Sequence, residues 1–159
     1  MTGIARSFYY WVVAIPSQRL RTAPQVRGID HVTVTTRDCR EAKRFYELAL
    51  QPLGFSVVFD WPAGGRAYLG LAGETSSVWI VQRSHPGRLA MSLAAAGERA
   101  VDAFYAAALA AGGEPVSAPS YRPQYTARTY AAEVLDPDGN TLEAISWGSQ
   151  PPASAAEAA

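Results

Sequence analysis

The chain has 159 residues, of which 48% are hydrophobic and 18% charged, and 14 basic and 14 acidic side chains give a net charge of zero. This composition is typical of one soluble globular domain, and it argues against a disordered chain and against binding of nucleic acid or membrane surfaces through bulk positive charge. The single cysteine, Cys39, excludes an intramolecular disulfide, a cysteine-rich zinc site and a typical iron–sulfur cluster, and it favours a cytoplasmic protein.

The first 27 residues are interpreted as an N-terminal extension. Within them, the apolar segment 7–15 follows Arg6 and is too short to span a membrane, which takes about 18 apolar residues or more. Three interpretations remain open for this segment: a poorly ordered extension, an added strand, or a weak signal-peptide core. No clear small-x-small cleavage site follows it, which counts against export.

The first structured module is predicted over residues 28–84. From His31, polar residues alternate with Val32 and Val34, which is the period of a half-buried strand. Asp38 and Glu41 form a capping box for a helix that reaches about Leu50 before Pro52 and Gly54 end it. Further strands are predicted near residues 55–60, 66–71 and 77–83.

The second module, residues 88–148, repeats the first. At a constant offset of 59 residues, Phe45-Tyr46 falls on Phe104-Tyr105 and Gly54 falls on Gly113. A strand from Ala90 and a helix over 98–111 precede strands near 114–116, 130–135 and 141–147, with a strong turn signal at residues 136–139. The fold class is therefore α+β, built as β-α-β-β-β twice. The Pro/Ala/Ser-rich residues 149–159 are predicted to be a disordered tail.

This arrangement resembles the vicinal oxygen chelate superfamily, which includes glyoxalase I, extradiol dioxygenases and bleomycin-resistance proteins. The resembling segments are residues 29–32, 40–50, 53–55, 100–113 and 136–145. The segment Arg122-Pro123-Gln124-Tyr125 resembles a small bacterial glyoxalase-like subgroup. The resemblance implies two βαβββ modules that form a curled, cup-shaped mixed sheet with the helices outside.

In metal-dependent members of that family, four cup-facing positions hold a divalent cation such as Zn, Ni, Mn or Fe. Here these positions are His31, Trp79, Ala90 and Glu143, so that only His31 and Glu143 remain as metal ligands. A catalytic zinc normally keeps three protein ligands, so the incomplete set favours no tightly bound metal. Alternatively, His31 hydrogen-bonds Glu143 or a ligand and acts as a general base, and Glu143 is a simple strand carboxylate.

The loop of residues 121–130 carries three tyrosines and two arginines where the mouth of the cup is expected. Arg122, Tyr125 and Tyr130 are candidate substrate-binding residues because arginine and tyrosine bind anionic and aromatic groups, and Trp79 is a candidate wall. The alternative is that the tyrosines pack the loop onto the sheet and the arginines are solvated.

Two functions follow as expectations. The first is a glyoxalase-, bleomycin-resistance- or dioxygenase-like protein that binds a small metabolite, as a lyase, isomerase or dioxygenase with a degraded metal site, in which His31 and Glu143 are catalytic. The second is a metal-free module that sequesters a drug or metabolite without turnover. An unliganded scaffold is a third, weaker alternative. The resemblance also suggests a homodimer, and neither a nucleic acid nor a membrane is an expected partner.

Overall fold

The computed structural model describes residues 29–63, 66–74 and 76–148. The predicted N-terminal extension and the predicted C-terminal tail lie outside the described residues. No helix in the part described is long and apolar enough to cross a membrane.

The described residues form two modules with the same element order. In the first, strand β1 (His31–Thr36) leads to helix α1 (Cys39–Leu50), a 3-10 turn (Gln51–Leu53), and strands β2 (Ser56–Ala63), β3 (Arg66–Ala72) and β4 (Ser77–Gln82). The second contains β5 (Ala90–Ala94), α2 (Glu98–Ala110), β6 (Glu114–Tyr121), β7 (Tyr130–Leu135) and β8 (Thr141–Ser146). The predicted β-α-β-β-β repeat and the α+β fold class are confirmed.

The strand order within each sheet also repeats. It is β1-β4-β3-β2 in the first sheet and β5-β8-β7-β6 in the second. In each sheet the first strand pairs with the last in parallel, and the remaining pairs are antiparallel. In the described part of the chain no strand pairing joins the two sheets. The predicted curled mixed sheet is therefore built from two four-stranded mixed sheets, one in each module, that are not closed by strand pairing.

Local signals explain where α1 begins and ends. Oδ1 of Asp38 accepts hydrogen bonds from the backbone N–H groups of Arg40 at 2.8 Å and Glu41 at 3.2 Å, as expected for an N-cap. The buried side chains of α1 recur at helical spacing along one face. The 3-10 turn then ends at Gly54, whose φ of +84° suits glycine better than any residue with a side chain.

Each helix covers one face of its own sheet, and the two helices also pack against each other. The largest fully buried side chains of this core include Phe45, Tyr46, Leu50 and Phe104. The β1 side chains on this face, Val34 and Thr36, are buried. We call the face of each sheet that points away from its helix the open face.

Strand β6 is longer than predicted. The sequence predicts a strand near residues 114–116, whereas the strand continues to Tyr121 and contains Pro115 and Pro119. Both prolines are tolerated because β6 is the edge strand of its sheet, where a missing N–H donor does not break the ladder.

A buried network connects the modules through the turn between β7 and β8. The Tyr46 hydroxyl on α1 donates a 2.7 Å hydrogen bond to Oδ2 of Asp136, which is only 4% exposed. The Thr36 hydroxyl at the end of β1 donates to Asp138 in the same turn. The turn predicted from the sequence is therefore also the main polar link to the first module.

Candidate functional site

The open face of the first sheet carries the predicted histidine. His31 lies opposite Ser77, and Thr33 lies opposite Trp79, so these four residues share one face. Nδ1 of His31 lies 2.9 Å from Oδ1 of Asp30, and their side chains are 50% and 90% exposed. The pair lies at the solvent-exposed start of β1, and the Asp30 carboxylate can bias the orientation of the imidazole through Nδ1.

Trp79 forms an aromatic surface beside this histidine. Its ring centroid lies 6.4 Å from that of His31 and 5.7 Å from that of Phe59, and its indole N–H donates to the Ser77 hydroxyl at 3.2 Å. Gly70 lies under the indole, where a Cβ atom would come within 3.6 Å of the ring. That distance is an ordinary van der Waals contact, and the tighter approach of such an atom would be to Cβ of Phe59 at 3.3 Å.

The open face of the second sheet contains a pocket of about 390 Å³. It is shallow and reaches solvent. Its lining combines a carboxylate, a hydroxyl, small apolar side chains and two aromatic rings, contributed by Ser92, Ala94, Tyr125, Glu143, Ile145 and Trp147. A mainly apolar wall with a few polar groups is the usual composition of a small-molecule site.

Glu143 forms the polar floor of this pocket. It is 9% exposed, and its Oε2 accepts a hydrogen bond from the Ser92 hydroxyl on the neighbouring strand. The strand register also puts Glu133 directly opposite Glu143, so this second carboxylate faces the same way. Its orientation was ambiguous in the sequence, because period-2 alternation alone does not say which face is open.

Two aromatic side chains form the wall of the pocket. The rings of Tyr125 and Trp147 lie 6.2 Å apart, and each residue is 55% exposed. Tyr125 was a predicted substrate-binding residue. Trp147 and Ser92 were not, although Trp147 is the residue that follows β8 and Ser92 shows the same alternation as the rest of β5.

Arg122 directly follows β6, the edge strand of the second sheet. Its Nη1 donates to the Ser120 hydroxyl at 2.6 Å, and its Nη2 donates to the Ser117 hydroxyl. The guanidinium is thus held in a defined orientation over the edge strand.

Tyr130 lies on the other side of the second sheet. Its hydroxyl donates to Asp102 on α2 at 3.0 Å, and its ring packs edge-on against Tyr121, whose hydroxyl donates to Glu98. Burial, followed by the hydrogen bond to Asp102, raises the pKa of Tyr130, and the hydrogen bond to Glu98 raises the pKa of Tyr121. This placement corresponds to the alternative interpretation, in which tyrosines pack the loop onto the protein.

The predicted site residues therefore form two half-sites. His31 and Trp79 lie on the first sheet, whereas Glu143 and Tyr125 lie on the second, with Arg122 at its margin. Within the described ranges, no group of three or more His, Cys, Asp or Glu side chains is arranged to hold a metal ion. The donor set of one chain, with His31 and Glu143 on separate sheets, does not fit the metal site implied by the resemblance.

Comparisons with known proteins agree with this fold. The profile of the Glyoxalase/Bleomycin resistance protein/Dioxygenase superfamily matches residues 28–144. A glyoxalase/bleomycin resistance protein from Albidiferax ferrireducens T118 has a TM-score of 0.62 and 27% identity, covering 74% of this chain and 97% of that chain. No curated protein matches the chain in sequence.

Two further solved structures share the fold at lower identity. A glyoxalase-related enzyme from Fulvimarina pelagi has a TM-score of 0.58 and 19% identity, over 76% of this chain and 88% of that chain. A glyoxalase I mutant from Zea mays has a TM-score of 0.58 and 17% identity, over 77% of this chain and 49% of that chain. At these identities the likeness shows the fold alone.

Proposed function

The chain belongs to the glyoxalase/bleomycin resistance protein/dioxygenase superfamily, and from this premise we propose that it is a cytoplasmic protein that binds a small organic molecule in the pocket of its second sheet. The observation that carries the proposal is that Glu143 and the Tyr125–Trp147 pair line the same pocket. A buried carboxylate supplies a directional acceptor, and the aromatic rings supply apolar contact area.

Binding without turnover is the form of this function that the pocket supports best. Its polar lining consists of Ser92, Tyr125, Glu143 and the indole of Trp147, and the Glu143 carboxylate already accepts a hydrogen bond from Ser92. Such groups can bind and orient a ligand. The histidine lies on the other sheet of the same chain, so among the residues that line this pocket the Glu143 carboxylate, already hydrogen-bonded to Ser92, is the candidate general base.

The pocket makes a direct prediction about two of its residues. Glu143→Gln and Trp147→Leu are each expected to weaken binding of small aromatic ligands by about tenfold or more, because truncation of a hot-spot residue costs about 2 kcal/mol or more and about 1.4 kcal/mol is already tenfold. Ligands found by ligand-observed NMR with the wild-type protein serve as probes, and their dissociation constants are then measured for each variant. Thr33→Ala, an exposed residue of the other open face, is the matched control. Unchanged affinities in both pocket variants would contradict the proposal.

Acid–base catalysis is the second candidate function, and the Asp30–His31 pair favours it. A carboxylate on Nδ1 orients an imidazole for proton transfer at Nε2. In this candidate, a homodimer brings His31 of one protomer to the Glu143 pocket of its partner. Strands β1 and β5 are both sheet edges among the described strands, and edge strands are common sites of pairing between copies.

This second candidate predicts a dimer whose formation depends on the open faces. Sedimentation velocity of the wild-type protein is expected to show a dimer that Thr33→Arg, placing a long charged side chain on the open face, dissociates. Metal content after incubation with Zn, Ni, Mn, Co or Fe(II) and desalting is measured in parallel, with His31→Ala and Glu143→Gln. A monomer at all concentrations would rule out catalysis by a shared site. If the wild-type protein retains metal and both His31→Ala and Glu143→Gln lose it, a metal-dependent reaction replaces metal-free acid–base catalysis as the second candidate.

A further inference from the structure

The arginine beside the pocket is held by neutral groups. Both terminal nitrogens of Arg122 donate to serine hydroxyls, those of Ser117 and Ser120. Among the ion pairs of the described residues, none involves Arg122. Serine hydroxyls are neutral and do not offset the positive charge of the guanidinium, whose remaining N–H donors can bind an anion.

The strand register places this guanidinium on the same face as the pocket. Ser117 lies opposite Glu133, which lies opposite Glu143, and Ser120 lies opposite Ala131, which lies opposite Ile145. Directly opposite residues share a face, and both Glu143 and Ile145 line the pocket. The Arg122 guanidinium lies over β6, and Glu143 lies on β8. These two strands are separated by β7, so the distance between them is two strand spacings, or roughly 10 Å.

The backbone connects Arg122 to the aromatic wall. The N–H of Tyr125 donates to the carbonyl of Arg122 at 2.9 Å, and the N–H of Arg122 donates to the carbonyl of Thr129 at 2.7 Å. The turn that carries Tyr125 over the pocket therefore starts at Arg122. Because the guanidinium is already oriented, a ligand loses less binding free energy in ordering it.

The charge on the open face of the second sheet changes from one strand to the next. Arg122 is positive at the edge strand, whereas Glu133 and Glu143 are negative on the two strands that follow. An anionic group is attracted at the first position and repelled at the other two. The carboxylates instead accept hydrogen bonds from hydroxyl or ammonium groups, so the face suits a ligand with different groups at its two ends.

We propose that the ligand of this pocket is a small organic acid, whose carboxylate binds Arg122 and whose hydroxyl or amino group binds Glu143. The inference rests on the proposed function and makes Arg122 the residue that determines specificity for acids. The apolar body of the ligand lies against the rings of Tyr125 and Trp147, which line the pocket.

The test compares an acid with its neutral counterpart. Dissociation constants of 4-hydroxybenzoate and 4-hydroxybenzamide are measured by ligand-observed NMR for the wild-type protein, Arg122→Gln and Arg99→Gln, the last being an exposed arginine on α2. The wild-type protein is expected to prefer the acid by about tenfold or more, because charge-assisted hydrogen bonds are about twice as strong as neutral ones. Arg122→Gln loses this preference, Arg99→Gln keeps it, and added salt reduces it.

Three results would overturn the inference: equal affinity of the wild-type protein for acid and amide, an unchanged preference in Arg122→Gln, or no binding of either compound. These results are distinguishable from failure of the proposed function itself. If acid and amide bind equally and Trp147→Leu weakens both, the pocket stands and the acid specificity fails. Circular dichroism of each variant confirms that the comparison is made between folded proteins.

Discussion

Asp136→Ala is expected to lower the free energy of unfolding by about 3–5 kcal/mol, since it leaves several buried donors without an acceptor. Oδ2 of Asp136 accepts hydrogen bonds from the Tyr46 hydroxyl and the Asn140 side-chain amide, each at 2.7 Å. Oδ1 accepts from the backbone N–H groups of Asn140 at 2.7 Å and Asp138 at 3.0 Å. Tyr46 and Asn140 are fully buried, so solvent does not replace these bonds.

The effect is large because the carboxylate joins elements that are distant in the sequence. Tyr46 belongs to α1 of the first module, whereas Asn140 also accepts a hydrogen bond from the backbone N–H of Leu89, which precedes β5. Urea denaturation followed by circular dichroism measures the change. Asp60→Ala is the control, because it removes a surface pair with Lys43 that solvent screens, so its loss of stability should be much smaller than that of Asp136→Ala. A loss of less than about 1 kcal/mol for Asp136→Ala would show that the network does not stabilise the fold.

Tyr46→Phe is expected to change how stability depends on alkaline pH. Burial, together with the neighbouring Asp136 carboxylate, raises the pKa of Tyr46 well above its ordinary value. Above pH 10 the unfolded chain therefore releases a proton that the folded protein keeps. Stability from this group is complete below pH 10 and is lost as the pH rises, by up to about 1.4 kcal/mol per pH unit.

The phenylalanine variant lacks this proton. Its free energy of unfolding is expected to fall less steeply between pH 9 and 11 than that of the wild-type protein, so the difference between the two proteins shrinks as the pH rises. Denaturation at several pH values gives both slopes. Tyr121→Phe is the control and is expected to give a smaller change, because the Tyr121 side chain is exposed and its contact with Glu98 is screened by solvent. Parallel slopes for the wild-type protein and Tyr46→Phe would contradict the account.

Much of the fold is visible in the sequence because the signals are local. Three signals each depend on a few neighbouring residues: the alternation from His31, the Asp38 cap and the turn at residues 136–139. The repeat adds to them, because elements predicted in one module are expected at the same places in the other. The full length of β6 is not visible, since Pro115 and Pro119 indicate a break unless the strand is known to lie at an edge.

The sequence indicated which types of residue form the candidate site, but not which of these residues lie on the same sheet. His31 and Glu143 are both on open faces, yet the sequence does not show that these faces belong to separate sheets. The position of Glu133 depends on strand register, and that of Tyr130 depends on which face α2 covers. The contacts Thr36–Asp138 and Tyr46–Asp136 bridge 102 and 90 residues, so no local pattern reveals them.

The most direct test of the central claim is a residue-resolved map of ligand binding. Backbone amide NMR spectra of the wild-type protein are recorded during titration with the small aromatic compounds that bind it. We expect the largest chemical-shift changes at Ser92, Ala94, Tyr125, Glu143, Ile145 and Trp147, the residues that line the pocket. Shifts that cluster elsewhere, for example around Trp79 on the first sheet, or no shifts with any compound, would contradict the assignment of this pocket as the binding site.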